Sequence, residues 1–291
     1  MPAFSAHDGT RLAYHVSGDG PPVICLPGGP VRASAYLGDL GGLSAHRRAV
    51  MLDLRGSGRS AIPRDPATYR CDRLVDDVEA LREHLGADRV DLLAHCAGAN
   101  LAVLYAGRHP QRVGRLALIT PSVAAVGITI TAEVRLATAR SRRNEPWFPA
   151  AYATLEDVVA GRAADGQWEA IAPFLHGRWD ESARALDAAD AEQKNSEAAA
   201  VYGSDGAYDP DATRSALARL PAPVLVLAGE VDLNSPPPAM AEYAGLFKHA
   251  ELVVQPGAGH YPWLDDPGRF TAVTAAFLRR PGWFGSGPAG Q

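Results

Sequence analysis

The chain has 291 residues, 47% of them hydrophobic and 21% charged, which is enough to bury a large core in a single α/β domain. A net charge of −5 gives no basic surface for nucleic acid or an anionic membrane, and no apolar run approaches the length of a membrane span. Three unevenly spaced cysteines make no disulfide framework, and the N-terminus has no charged leader, so a reducing, cytoplasmic compartment is expected.

Ala3–Ala6 and Leu12–Val16 flank Asp8-Gly9 and predict a hairpin. Residues 23–26 form a short apolar strand that opens into Pro27-Gly28-Gly29-Pro30. Glycines in such a loop let backbone N–H groups face an oxygen that a side chain would otherwise obstruct. The Gly29 N–H is therefore a candidate donor to a developing oxyanion, and Gly28 a candidate substrate contact. A second strand, 49–54, leads into Asp53-Leu54-Arg55-Gly56-Ser57-Gly58-Arg59-Ser60. Leu74, Val75, Val78, Leu81 and Leu85 then recur at helical spacing and stop at Gly86, a good C-cap.

Strand 90–95 ends in Ala94-His95-Cys96-Ala97-Gly98, and Leu101, Leu104 and Tyr105 share one face of the helix that follows. Small residues two before and two after Cys96 permit a sharp strand-to-helix turn that lifts one side chain above the sheet. A thiol at that helix N-terminus ionises more readily than a free one, and the Ala97 N–H becomes a second candidate oxyanion donor. The rival reading of Cys96, taken alone, is an inert buried thiol. Cys25 in a core strand and Cys71 at a helix start are read as structural, as are Asn100 and His95, the latter as a packed neighbour of the turn.

After strand 115–120, residues 122–205 carry helical patterns and no convincing strand. They predict a helical cap inserted into a core made of 1–121 and 206–280. Aromatic residues concentrate there, and Trp147, Tyr152, Trp168 and Trp179 are candidates for an apolar ceiling over Cys96. The alternative for each ring is packing within the cap's own core. Arg135, Arg140, Arg142 and Arg143 read as a solvated helix face, with a dock for a carrier protein or an anionic cofactor arm as the alternative.

Strand 223–228 precedes Gly229-Glu230-Val231-Asp232, where Asp232 is the candidate acid and Glu230 its competitor. Strand 250–255 precedes a glycine-rich loop that projects His260, a candidate general base, with Tyr261 beside it as a candidate substrate contact. Phe270, Val273, Phe277 and Leu278 mark a last helix, and residues 281–291 are expected to be disordered. Strands alternating with helices predict a mostly parallel sheet covered on both faces. Ligands in such sheets bind beyond the strands' carboxyl ends, where all these segments fall.

The combined order of motifs, over roughly residues 5–280, resembles the α/β-hydrolase superfamily. The Gly-Gly-Pro loop and the Asp-x-Arg-Gly-x-Gly-x-Ser segment are most similar to its proline-iminopeptidase and small-esterase branch. Cys96 stands where that family places a serine, and Pro27 where its loop usually begins with histidine. The resemblance implies an α/β-hydrolase fold and a Cys96–His260–Asp232 triad, with Gly29 and Ala97 as the oxyanion hole. The expected activity is acyl transfer, as an esterase, thioesterase or acyltransferase, through a thioester on Cys96, without cofactor or metal. The expected substrate is a small, bulky apolar or aromatic molecule, free or carried by CoA or a carrier protein, in bacterial natural-product metabolism. A non-hydrolytic enzyme (carbon–carbon bond-forming, lyase or cofactor-free oxygenase) and a non-catalytic binding protein are the two rivals.

Overall fold

The central strands of this protein bury both their faces, because apolar side chains run through them without a polar alternation. The computed structural model describes residues 2–162 and 167–280; the predicted disordered tail, 281–291, lies outside them. Eight strands, β1 (Ala3–Ser5), β2 (Arg11–Ser17), β3 (Pro22–Leu26), β4 (Arg48–Leu52), β5 (Val90–His95), β6 (Val113–Ile119), β7 (Val224–Gly229) and β8 (Ala250–Gln255), form one sheet. Their order is β1-β2-β4-β3-β5-β6-β7-β8. β1 and β2 form the predicted hairpin, β2 runs antiparallel to β4, and the other six strands are mutually parallel. This is the α/β-hydrolase fold.

Along β5 every residue is buried, and successive side chains serve opposite cores. Leu92 and Ala94 join one core with Ile24, Leu26, Leu116, Leu118, Val224 and Val226, while Leu93 joins the other with Val23, Cys25, Ala117 and Leu225. The first core is closed by α1 (Cys71–His84) and α2 (Gly98–Arg108). Leu74, Val75, Val78 and Leu81 are fully buried on α1, at about 1.5–3 kcal/mol each, and Gly86 past its end has φ 63°.

Between β6 and β7 the described residues hold helices and no sheet strand: α3 (Ala132–Arg140), α4 (Phe148–Val159), α5 (Glu181–Ala188), α6 (Asp190–Gln193), α7 (Ser196–Tyr202) and α8 (Pro210–Leu217). A 3-10 stretch, Gln167–Leu175, packs on α4 and completes a third apolar cluster around Phe174 and Leu155. α9 (Pro237–Ala244) covers the first core, and α10 (Pro262–Asp265) and α11 (Pro267–Arg279) cover the second with Trp263, Phe270 and Phe277. Among the described residues no helix is long and apolar enough to cross a membrane.

Two strands stop short of the ends expected from sequence. β4 closes at Leu52, so that Asp53 turns inward to accept from the Ser34 N–H and hydroxyl and the Arg59 N–H. β6 closes at Ile119: the Thr120 N–H still donates to Leu227 O at 2.7 Å, but its φ of 41° turns the chain out of the strand.

The turn between β5 and α2 is set by backbone proximity. A Cβ on Gly98 would lie 2.5 Å from the Leu26 carbonyl oxygen and 2.6 Å from that of Pro27, neither of which can give way. Gly98→Ala should therefore lose about 1–3 kcal/mol by overpacking, read by urea denaturation. Gly268→Ala, whose Cβ would meet nothing nearer than an Asp266 oxygen at 3.7 Å, should be neutral or gain up to about 1 kcal/mol. Equal stability of Gly98→Ala and the parent would contradict this close approach.

Candidate active site

Cys96 occupies φ 51°, a left-handed conformation that an L-residue holds only under constraint from its surroundings. Three backbone hydrogen bonds supply it: Cys96 N–H donates to Ile119 O at 3.2 Å, and Cys96 O accepts from Ala99 and Ser122 N–H, both at 3.0 Å. The thiol thus projects at the N-terminus of α2, partly exposed.

The double-glycine loop faces it. Gly29 has φ 122°, and a Cβ on Gly28 would stand 2.8 Å from Cys96 Cβ, so glycine at Gly28 lets the loop approach this near. Backbone N–H groups of Gly29 and Ala97 both act on Cys96 as hydrogen-bond donors. A buried relay holds the loop in place. Gly28 N–H donates to Tyr36 Oη at 2.7 Å, Tyr36 lies 2.6 Å from His95 Nδ1, and His95 Nε2 lies 2.9 Å from His260 O. Because a carbonyl can only accept, His95 carries its proton on Nε2 and accepts a hydrogen bond from the Tyr36 hydroxyl on Nδ1. Burial, helped by the charge of His260, lowers His95 well below the ordinary histidine range and keeps it neutral.

The acid and base meet beneath this loop. Asp232 is fully buried, its Oδ2 lying 2.8 Å from His260 Nδ1 while its Oδ1 accepts from Asn234 N–H at 2.8 Å. Glu230 is turned away and accepts from Gly257 N–H at 2.7 Å, propping the loop that carries His260. His260 is further fixed through its backbone: its N–H donates to Leu175 O at 2.7 Å, and its carbonyl accepts from the Thr120 hydroxyl at 2.9 Å. His260 Nε2 is buried with no nitrogen or oxygen partner among the described residues, and the Cys96 thiol is the group it interacts with across the cavities they share.

Ionisation of the pair is coupled. Burial opposes a charged Cys96, but the His260 charge, its hydrogen bond and the Ala97 and Gly29 N–H groups outweigh it and hold the thiol below its usual value. Burial likewise opposes the imidazolium, yet Asp232 and Cys96 raise His260 well above the usual range. Each group thus favours the charged form of the other. Cys25 and Cys71, by contrast, are each pushed up to about 12 by burial.

Cys96 lies between two cavities. One, of about 160 Å3, is polar and includes Arg32, Tyr36, Tyr261, Asp187 and Asp190 in its wall. The other, of about 310 Å3, is bounded by Val123, Ala124, Ile130 and Arg135. Gly29 borders both, Ala97 the larger one, and Tyr261 the polar one. Gly28 lies against the Cys96 Cβ.

The aromatic ceiling expected from sequence is placed elsewhere. Trp147 stands edge-on to Phe174 and Tyr152 stacks on Phe148 inside the third apolar cluster, so neither lines a cavity beside Cys96. Trp179 packs against His176, which in turn stacks on Tyr261, one layer removed from the cavity wall. The Trp168 side chain lies outside the described residues. The basic run also departs from a single solvated face. Arg140 and Arg143 are exposed, but Arg142 is buried under Trp147 and donates to His176 O at 2.8 Å, while Arg135 borders the larger cavity.

Sequence reasoning missed Arg32, Tyr36, Asp187 and Asp190 because they reach the site by long-range packing. No spacing relative to Cys96 marks them.

A family model described as the alpha/beta hydrolase fold matches residues 21–267, so the chain belongs to the α/β-hydrolase family. A proline iminopeptidase of Heyndrickxia coagulans is 33% identical over 112 residues, 38% of this chain and 39% of that protein, so the match spans well under half its length. A proline iminopeptidase of Levilactobacillus brevis is 27% identical over 270 residues, 88% of each chain. Among solved structures, a thermophilic esterase from Thermogutta terrifontis superposes with a TM-score of 0.69 at 25% identity, covering 96% of this chain and 98% of that one.

The ionisation pattern predicts selective alkylation. At about pH 7, below the ordinary thiol value near 8.5, iodoacetamide should modify Cys96 and spare Cys25 and Cys71. Because His260 holds the thiol down, His260→Ala should move the midpoint of the rate–pH profile upward. Peptide mapping that finds Cys25 or Cys71 labelled first, or a midpoint unmoved by His260→Ala, would contradict the coupled pair.

Proposed function

We propose that the protein is an acyl-transfer hydrolase that attacks esters or thioesters through the Cys96 thiolate. The observation carrying this reading is the meeting, at one strained turn, of a depressed thiol, a raised imidazole anchored by Asp232, and two N–H donors. Thiolate Sγ attacks the acyl carbon, and the carbonyl electrons move to an oxygen received by the Gly29 and Ala97 N–H groups. The intermediate collapses with departure of the alcohol or thiol, which takes the proton from His260 Nε2. Cys96 is left as a thioester. His260, now neutral, takes a proton from water, the resulting hydroxide attacks the thioester, and the acid leaves as the thiolate re-forms. Each N–H donor in such a hole is worth about 3 kcal/mol of barrier. Ester and thioester donors are preferred over amides, because a thiolate leaves a tetrahedral intermediate more readily than an amine does.

A second reading is favoured by the polar cavity, where Asp187 and Asp190 face a single guanidinium, Arg32, paired with Asp190 at 2.9 Å. The surplus carboxylate suits a substrate amine, in keeping with the similarity to proline iminopeptidases. Asp187→Asn should then lower kcat/KM for an aminoacyl ester at least tenfold more than for a plain acyl ester; equal losses would remove this reading.

Incubation with a small activated ester, followed by intact-mass spectrometry, should reveal an acyl adduct that maps to Cys96. Cys96→Ala should abolish turnover. Asp232→Asn should lower kcat by about 10⁴, since an amide favours the wrong imidazole tautomer. Glu230→Gln should stay within a few-fold of the parent. Turnover of the alanine variant at the parent's rate would move the non-hydrolytic alternative ahead.

A further inference from the structure

The larger cavity beside Cys96 is bordered by a cation that no carboxylate among the described residues pairs with. Five arginines are buried, Arg32, Arg47, Arg55, Arg82 and Arg142, and each is paired with a carboxylate: Asp190, Asp91, Asp77, Glu79 and Glu145 respectively. Arg135 is half-buried on α3 and borders the cavity, yet among the described residues no carboxylate lies within ion-pair distance of it. Among the described residues its one side-chain hydrogen bond runs from Nη1 to the Leu233 carbonyl at 2.6 Å. Asp232 is the acid that acts on it electrostatically, and both Asp232 oxygens already serve His260 and Asn234.

An unanswered guanidinium in a partly dry pocket loses solvation without recovering it. Anchoring the Leu233 carbonyl needs a donor but no charge, so the charge itself has no structural use there. Val123, Ala124 and Ile130 give the wall a short apolar stretch near Cys96 and Ala97, while Ser122, Asn234 and Ser235 are its uncharged polar members. At about 30 Å3 per water, the volume of about 310 Å3 holds on the order of ten waters, enough for a short acyl chain.

We propose that this cavity binds a short acyl group ending in a carboxylate, with Arg135 as its anion-binding residue. The acyl carbonyl sits at Cys96 under the Gly29 and Ala97 N–H groups, the methylenes lie against Val123, Ala124 and Ile130, and the carboxylate pairs with the guanidinium. The substrate class is a half-ester or half-thioester of a short dicarboxylic acid. That class rests on Cys96 being the attacking group; the anion site does not.

The test is calorimetric titration of the intact protein with glutarate and with glutaramide, its uncharged isostere. Glutarate should bind at least tenfold more tightly. Arg135→Gln, which keeps a donor for the Leu233 carbonyl, should abolish that preference, and Arg135→Lys should retain part of it. Equal affinity for the two compounds in the parent, or no binding of glutarate at millimolar concentration, overturns the proposal without need of a variant. A preference that survives Arg135→Gln undiminished overturns it as well, since Arg135 would then not be what selects the charge. Titration reads binding and not turnover, so a protein that binds glutarate but never acylates Cys96 retains the anion site and loses only the acyl-transfer reading.

Discussion

The relay from Gly28 through Tyr36 and His95 to the carbonyl of His260 is the constraint on which the site depends. It links the double-glycine loop, the residue preceding Cys96 and the loop carrying His260, which come from three separate parts of the chain. Its polarity admits one arrangement: Tyr36 accepts from a backbone N–H and donates a hydrogen bond to His95, and His95 donates its ring N–H to a carbonyl. Each member is buried, so breaking any link leaves an unsatisfied polar group worth about 1–3 kcal/mol. The relay also supplies a partner for the loop in a chain where Pro27 offers no side-chain hydrogen bond.

Two histidines stand with ring centroids 4.8 Å apart and are driven in opposite directions. Burial and the neighbouring positive charge keep His95 neutral, while Asp232 and Cys96 together hold a proton on His260. In a site of low dielectric one charge excludes a second of the same sign nearby. His176, lowered to about 4 chiefly by burial and then by His260, obeys the same rule. The shifts favour the charged forms of His260 and Cys96 together and the neutral forms of His95 and His176.

Cys96 also divides two cavities of different chemistry. On one side lie carboxylates, a paired arginine and tyrosines; on the other lie aliphatic side chains, uncharged polar ones and an arginine without a carboxylate. The helical segment between β6 and β7 supplies Leu175, Asp187 and Asp190 to the first and Arg135 to the second, so its packing sets what each side accepts. Trp147 and Phe148 do not take part, because Phe174, fully buried, draws them into a core of their own.

The sequence alone determined the sheet and the approach of its loops. Uninterrupted apolar strands such as Val224–Ala228 forced burial on both faces, and glycine or alanine around Cys96 forced a turn that a larger residue would not enter. Those signals are local, carried by periodicity and by residues whose size or freedom permits one conformation. Which carboxylate faces His260 was open between Asp232 and Glu230 until the loop folded, since both lie close after the same strand. The tertiary structure alone placed Tyr36 against His95, turned Arg135 and Arg142 inward from a run that read as solvated, and withdrew Trp147 and Tyr152 into their own cluster. A helix's sequence fixes which residues share a face; which neighbour that face meets is decided by packing across the whole chain.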